Sequence, residues 1–433
     1  MPRRRLASWP GIAACAAGAA AAALAIAACE DRVGGDVMTR PGIYDGSPEP
    51  DDAVGPVVDG SPDTGASDAG EGGACPSGST LRSVRAACTG APLVPPAALV
   101  TDSTAAAPGD VVSLSGMSEP AAPCLPVVVC TPDDAPTLYF SDSPESPSQD
   151  GVLYADTAQP GRYRLYVYTT NGGAALRKFP VVVLNQGAAA AKVTIVRRGL
   201  AAPGGAYVAI GKQVIADWLA PRAPADVAVP PGTRVLLDAD LDAMHASTGD
   251  LVHAIYDVVV DQPVKISFVS VLAGADAAAV TAGLPLLPRD FDHQRGTFPK
   301  ADVLVTLAPV DGGAQKPGVQ RLRLGLDEVD ETLEGVDVPT GVKQKLLGNY
   351  GMLYRFALGL PSASTAAISA RGGAWGGVVE IGDGGPIALP SASAALSTTT
   401  DAIVLGPQSP ATTMRLMSAG GSNLPIDVFF VTP

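Results

Sequence analysis

The chain has 433 residues, 47% of them hydrophobic, and sets 43 acidic against 29 basic side chains for a formal charge of −14. That much apolar material excludes disorder throughout and leaves room for two or three domains of about 100 to 200 residues. With no Lys/Arg cluster after residue 5, the acidic balance also excludes a nucleic-acid partner, because phosphate binding needs a basic face.

The first element is a secretory signal. Arg3, Arg4 and Arg5 form a positive n-region, residues 11–28 are apolar and Ala-rich, and Ile26-Ala27-Ala28-Cys29 ends the run with small residues before a cysteine. As a transmembrane helix, which needs roughly 20 apolar residues, the run is marginal. The tetrapeptide resembles the lipobox of bacterial lipoproteins. This resemblance implies that residues 1–28 are a lipoprotein signal peptide, removed to leave Cys29 as an acylated first residue carrying palmitate-type chains. Ile12-Ala13-Ala14-Cys15 has the same form, but too little apolar chain precedes it for an h-region of roughly 7 to 15 residues. Two or more acyl chains hold a protein on a bilayer where one is marginal. The expected location is therefore the cell envelope, lipid-anchored, at the outer membrane of a Gram-negative bacterium.

Residues 29–90 read as an acidic, Pro/Gly-rich disordered tether. From Glu30 to Glu71 eleven acidic residues stand against Arg32 and Arg40 in a background of Gly, Pro, Ser and Ala, and Asp-Gly-Ser-Pro occurs at 45–48 and 59–62. Such a composition builds no core, and like charges keep it extended.

From residue 91 the pattern is β. The segments 111–115, 137–140 and 162–169 are short, β-branched or aromatic, and separated by Pro/Gly turns at sandwich spacing. Along 162–168, Tyr163, Leu165 and Val167 alternate onto one face, and Asn171-Gly172-Gly173 turns the chain into 176–184. The run Asp156-Thr157-Ala158-Gln159-Pro160-Gly161-Arg162-Tyr163 resembles the corner before the penultimate strand of immunoglobulin-like domains. That resemblance implies an Ig-like β-sandwich over 91–187. Further strands are expected at 192–197, 206–210, 233–237, 251–260 and 264–272, with 273–282 as the one candidate helix. The pattern resumes from 303 with 320–326, 350–360, 366–370, 378–381 and 426–431. The gapless echo of 263–270 in 425–432 suggests two related units, 188–289 and 290–433, packed separately or as one body. The fold class is all-β, tandem β-sandwiches after a disordered acidic linker.

Export favours disulfides among the four cysteines left after the signal, Cys75, Cys88, Cys124 and Cys130. Short separations suggest Cys75 with Cys88 and Cys124 with Cys130, out of three arrangements open to four cysteines.

Motifs for catalysis are absent: no His-Glu-x-x-His, Gly-x-Ser-x-Gly, P-loop or Cys-x-x-Cys. Of the three histidines, His245, His253 and His293, strand alternation places His253 on the face of Leu251 and Ile255, as a packed, hydrogen-bonded residue. Asp238, Asp240 and Asp242 alternate as calcium-loop carboxylates do. However, Ala243 stands where an EF-hand needs Gly and Gly249 where it needs Glu, so the only metal reading left is a strand-end Ca²⁺ site, and no other cofactor is indicated. The loop 289–298 is dense in polar and aromatic side chains; Asp290, Asp292 and His293 would carry the acid/base work of a hydrolase, the alternative function. Trp375, Tyr350 and Tyr354, with Trp218, are candidates for stacking on a ligand. Together these features describe a non-catalytic envelope lipoprotein. Its acyl anchor holds the membrane, and its sheet faces meet an envelope glycan or protein.

Overall fold

A computed structural model describes residues 75–86, 106–113, 122–308, 318–360, 364–408 and 412–432. The signal, Cys29, Cys88 and most of the tether lie outside them. Among the described residues the strands form four sheets, and the fold is all-β and sandwich-type.

The middle layer is an eight-stranded sheet in the order Ala225–Val229, Ala191–Leu200, Leu251–Val260, Gly161–Thr170, Thr137–Ser141, Arg295–Phe298, Leu333–Asp337 and Val342–Leu346. Both its faces are buried. Tyr139, Leu165, Val167, Val252, Ala254 and Tyr256 pack one way, against Leu153, Val181, Val183, Ile266 and Phe268 of a five-stranded sheet. Leu138, Phe140, Tyr166, Leu251 and Ile255 pack the other way. That second core is closed by a seven-stranded sheet that includes Val127–Pro132, Asp302–Leu307, Leu353–Phe356 and Met414–Ser418, and by a five-stranded sheet that includes Gly318–Leu324, Ile426–Thr432 and Ser364–Ala370. A strand buried on both faces reads as a continuous apolar run, as 251–256 does.

Strand pairing runs across both boundaries expected from the sequence. Gly161–Thr170 pairs with Leu251–Val260 and Gly151–Ala158 with Val264–Leu272, spanning 187/188. Arg295–Phe298 pairs with Thr137–Ser141, and Asp302–Leu307 with Val127–Pro132, spanning 289/290.

Three local expectations are corrected. Residues 206–210, expected as a strand, open the helix Tyr207–Leu219, which buries Ile210, Val214, Ile215, Trp218 and Leu219 at helical spacing. The helix lies on the strand Ala191–Leu200 at Gly199, where an added Cβ would stand 2.1 Å from the Val214 carbonyl oxygen. The candidate helix at 273–282 shrinks to Ala277–Val280. Within the expected tether, Ser79–Arg85 is an edge strand on Val127–Pro132, held by an Arg85–Asp330 ion pair and by Arg82 donating to the Glu331 carbonyl.

The disulfide pairing also differs. Cys75 is joined to Cys130, with Cα atoms 5.9 Å apart, and Cys124 is disulfide-bonded too. The edge strand sets Leu81 opposite Cys130, and a turn before it, closed by Ser79 Oγ–H donating to the Pro76 carbonyl at 2.7 Å, folds Cys75 back onto Cys130. Cys124 and Cys130, by contrast, are separated by extended chain rising about 3.3 Å per residue, far beyond the roughly 7 Å that a disulfide spans. Non-reducing peptide mapping is expected to recover a Cys75–Cys130 peptide and no Cys124–Cys130 peptide.

Candidate functional site

The most polar concavity is a cavity of about 250 Å³ where the middle sheet and the seven-stranded sheet meet over the helix. Two rows of charge build it. Across the middle sheet, Asp257 lies opposite Arg164 on one neighbouring strand and opposite Arg197 on the other. In the seven-stranded sheet, Arg355, Arg415 and Glu380 stand in register on three adjacent strands.

A bulge selects which arginine enters. Asp257 pairs with Arg197 but Val258 pairs with Ile195, so Val196 is the extra residue and strand parity reverses there. Val193 and Ile195 face the first core; past the bulge Arg198 turns to that side, onto Asp238, and Arg197 turns to the other, over the Trp218 ring at 5.1 Å. Arg164 lies over the same ring at 4.5 Å.

Buried ion pairs fix the walls. Arg164 donates Nε–H to Asp257 Oδ1 at 2.8 Å, and Nη1–H to Asp302 Oδ1 at 2.7 Å and to the Gly351 carbonyl at 2.9 Å. Asp302 accepts a second guanidinium from Arg355 at 2.6 Å, so one buried carboxylate ties the two sheets together. Burial opposes the Arg164 charge, but Asp257 and Asp302 more than restore it and hold the group above its ordinary value. Arg197 has no such partner: burial first, then the neighbouring Arg415 and Arg164, push it below its ordinary value. Arg197 Nη1, Arg355 Nε and Trp218 Nε1 are buried without a protein acceptor, and all three line this cavity. Guanidinium groups stay protonated across the ordinary pH range, so the arrangement binds and orients but does not shuttle protons.

A second concavity, about 450 Å³, contains the loop that sequence reasoning selected for acid/base work. His293 Nδ1 meets Asp290 Oδ2 at 3.0 Å and Nε2 meets Glu145 Oε2 at 3.1 Å, so both ring nitrogens are engaged. Asp290 also accepts from the backbone N–H of Glu145 at 2.7 Å and of His293 at 2.9 Å. The Asp290 bond raises His293 to about 9, while Asp290, lifted by burial, is drawn down to about 2 by its bonds to His293 and Glu145. The result is an imidazolium clamp between two loops. Asp292 is exposed and lines the same concavity. Burial raises Asp142 well above the carboxylate range beside the clamp.

Other expected sites resolve as structure. Trp375 is fully buried and donates Nε1–H to Ser418 Oγ at 3.1 Å; Tyr354 is buried and donates to Asp330; half-buried Tyr350 donates to the Ser422 carbonyl. Trp375, Tyr354 and Trp218 belong to the core between the layers and Tyr350 packs against it, so none offers an exposed stacking face. Asp238 and Asp240 are both held by Arg198 at 2.6 Å, and Asp242 by Lys178 at 2.8 Å, so basic side chains occupy the calcium candidates. Among the described residues no group of three metal-ligating side chains occurs. Sequence reasoning missed Arg164, Arg197, Asp257, Asp302 and Arg355. The available signal was charge inside otherwise buried strands, Asp257 in the run 251–260 above all.

No family model matches the chain, and no curated protein does. Among solved structures, an oxalate decarboxylase of Bacillus subtilis is similar at 12% identity over 68% of this chain and 77% of that one, with a TM-score of 0.13. Vicilin from Corylus avellana (hazelnut) is similar at 12% identity over 68% of this chain and 83% of that one, also at 0.13. At that TM-score neither likeness bears on fold or function.

Proposed function

We propose that the protein is a cell-envelope lipoprotein, anchored through Cys29, that works as a non-catalytic recognition module for an envelope or extracellular glycan. One observation carries the binding role: the cavity between the two sheets is walled by arginines fixed in buried ion pairs, a preorganised set of donors without a group that titrates near neutrality. Preorganised, desolvated donors favour recognition because little ordering remains to be done on binding. The clamp at His293 supports the same reading, since a general base needs a free ring nitrogen and both are bonded to carboxylates. The anchor rests on the lipobox resemblance and the tether on composition.

In a bacterial host making the full chain, labelled palmitate is expected in the wild type and not in Cys29→Ala, and only the wild type should stay with membranes through a salt wash. The detergent-extracted full chain should retain envelope polysaccharide and show no turnover on glycan or ester substrates. Equal labelling of both proteins would refute the anchor; turnover abolished by Asp290→Asn or His293→Gln would refute the non-catalytic role.

A further inference from the structure

We infer that the arginine-lined cavity is a binding site for a ring-sized sugar acid, whose carboxylate is held by Arg197, Arg355 and Trp218. This deepens the recognition-module reading and rests on it.

The chemistry follows from the kind of group left without a partner. Arg197 Nη1, Arg355 Nε and Trp218 Nε1 are all N–H donors, they are buried, and the three residues that carry them line one cavity. A buried donor without an acceptor carries its full desolvation penalty, so the matching ligand brings acceptor oxygens. A carboxylate is planar and takes parallel N–H donors from a guanidinium fork, which a hydroxyl or a point cation does not reproduce.

Charge balance selects a monoanion. Among the lining residues, Arg162, Arg164, Arg197, Arg355 and Arg415 stand against Asp134, Asp257 and Asp302, and Arg415 also pairs with Glu380 beyond the lining. With Glu380 counted, one positive charge is in excess; Arg162 is exposed at the rim, and Arg197 is the inner arginine that no carboxylate holds. A carboxylate cancels it, whereas a phosphate dianion would add negative charge beside Asp257 and Asp302. In a chain of net charge −14, such a pocket stands against the field of the whole molecule and rejects anions elsewhere.

Size and rim favour a sugar ring. A cavity of about 250 Å³ with Pro136, Tyr163, Val196 and Leu353 among its walls suits one ring, and half-exposed Asp134 at the rim offers oxygens to ring hydroxyls. The bulge at Val196 fits a dedicated site: it turns a cation into a place where no carboxylate of its own neutralises it. A charge kept at a stability cost is what a ligand-binding residue looks like in the free protein.

The test is calorimetric titration of the detergent-extracted full chain with galacturonate and glucuronate, alongside galactose, glucose, inorganic phosphate and an acetylated Asp-containing tripeptide. Uronates are expected to bind, with neutral sugars, phosphate and the peptide at least tenfold weaker. Arg197→Met should weaken uronate binding by roughly ten- to a hundredfold, as loss of a charge-assisted hydrogen bond does. The melting temperature of ligand-free Arg197→Met should be equal to or higher than that of the wild type, because the variant removes an uncompensated buried charge. Arg197→Lys, which keeps the charge and loses the fork, should fall between the two. Equal binding of uronate and its neutral counterpart, preference for phosphate or peptide, or uronate binding unchanged in both variants would overturn the inference. Retention of a neutral envelope polymer that survives Arg197→Met would also overturn it, while leaving the recognition-module reading intact. Retention of no polymer and no uronate would overturn both.

Discussion

Replacing Asp427 by alanine is expected to cost about 3–5 kcal/mol of stability, the loss typical of removing one member of a buried ion network. Asp427 is fully buried on the strand Ile426–Thr432, directly opposite Arg323 and Ser369 on the strands to either side. Its two oxygens accept Arg323 Nε and Nη2 at 2.8 and 2.9 Å and Arg371 Nε at 3.0 Å, with Arg321 Nη1 at 3.8 Å. Three cations thus converge on one carboxylate, and the side chain of Arg371 is only 3% exposed. Without Asp427, Arg371 loses its counter-ion but stays out of water. Asp427→Asn keeps the shape and part of the hydrogen bonding, yet loses the charge, so it should recover only a fraction of the loss. Urea unfolding of the full chain measures both, and Asp226→Asn is the control. Asp226 pairs with Lys192 in the open, at 57% and 51% side-chain exposure, and solvent-screened pairs of this kind contribute little to stability. A loss below 1 kcal/mol at Asp427 would show that the arginines reach solvent or other acceptors.

The strands were legible in the sequence because alternation and turn residues are local signals. The ranges 251–260 and 264–272 match the observed strands at both ends. What local signals do not carry is the third dimension. Alternation at 162–168 put Tyr163, Leu165 and Val167 on one face, and they do share it, but the other face is not solvent: Tyr166 and Tyr168 pack into a second core. The same second layer buries Trp375 and Tyr354, which composition alone offered as binding surfaces. The helix Tyr207–Leu219 was hidden because its opening residues, Tyr207, Val208 and Ile210, are strand formers, and tertiary packing at Gly199 overrides that propensity. For the cavity, the sequence shows two adjacent arginines at 197 and 198. Only the bulge at Val196, a matter of register with Asp257, decides which of them enters.

The two histidines with displaced titrations should act on stability in opposite directions on either side of pH 6.5. His253 is fully buried between Tyr166 and Tyr168 and donates Nδ1–H to the Val167 carbonyl at 2.6 Å, while Nε2 has no partner. Burial lowers its pKa from 6.5 to about 4, the bond to Val167 opposing only in part. The unfolded chain therefore binds a proton below pH 6.5 that the folded chain refuses. The His253 contribution falls as pH drops from 6.5 toward 4, by about 3 kcal/mol in full. For His293, raised to about 9 chiefly by Asp290, the sign reverses. Its contribution is complete below 6.5 and is lost as pH rises through 9, and at 30% side-chain exposure screening reduces it to about 1 kcal/mol. Asp142, raised by burial, likewise erodes stability as pH climbs above the ordinary carboxylate range and so opposes the His253 limb between pH 4 and 6.5; the His253 share is the difference between wild type and a variant lacking it. Tyr166 and Tyr168, the rings against His253, are pushed far above the neutral range and do not titrate in this window. Unfolding of wild type and His253→Phe by urea from pH 4 to 9 tests the assignment. The variant lacks the Val167 bond, so its curve is displaced downward at pH 7, but it should lose the His253 share of the slope between 6.5 and 4. The gap between the two proteins should close, or invert, as the pH approaches 4. A gap that stays constant from pH 7 to 4 would mean that the acid limb belongs to other groups.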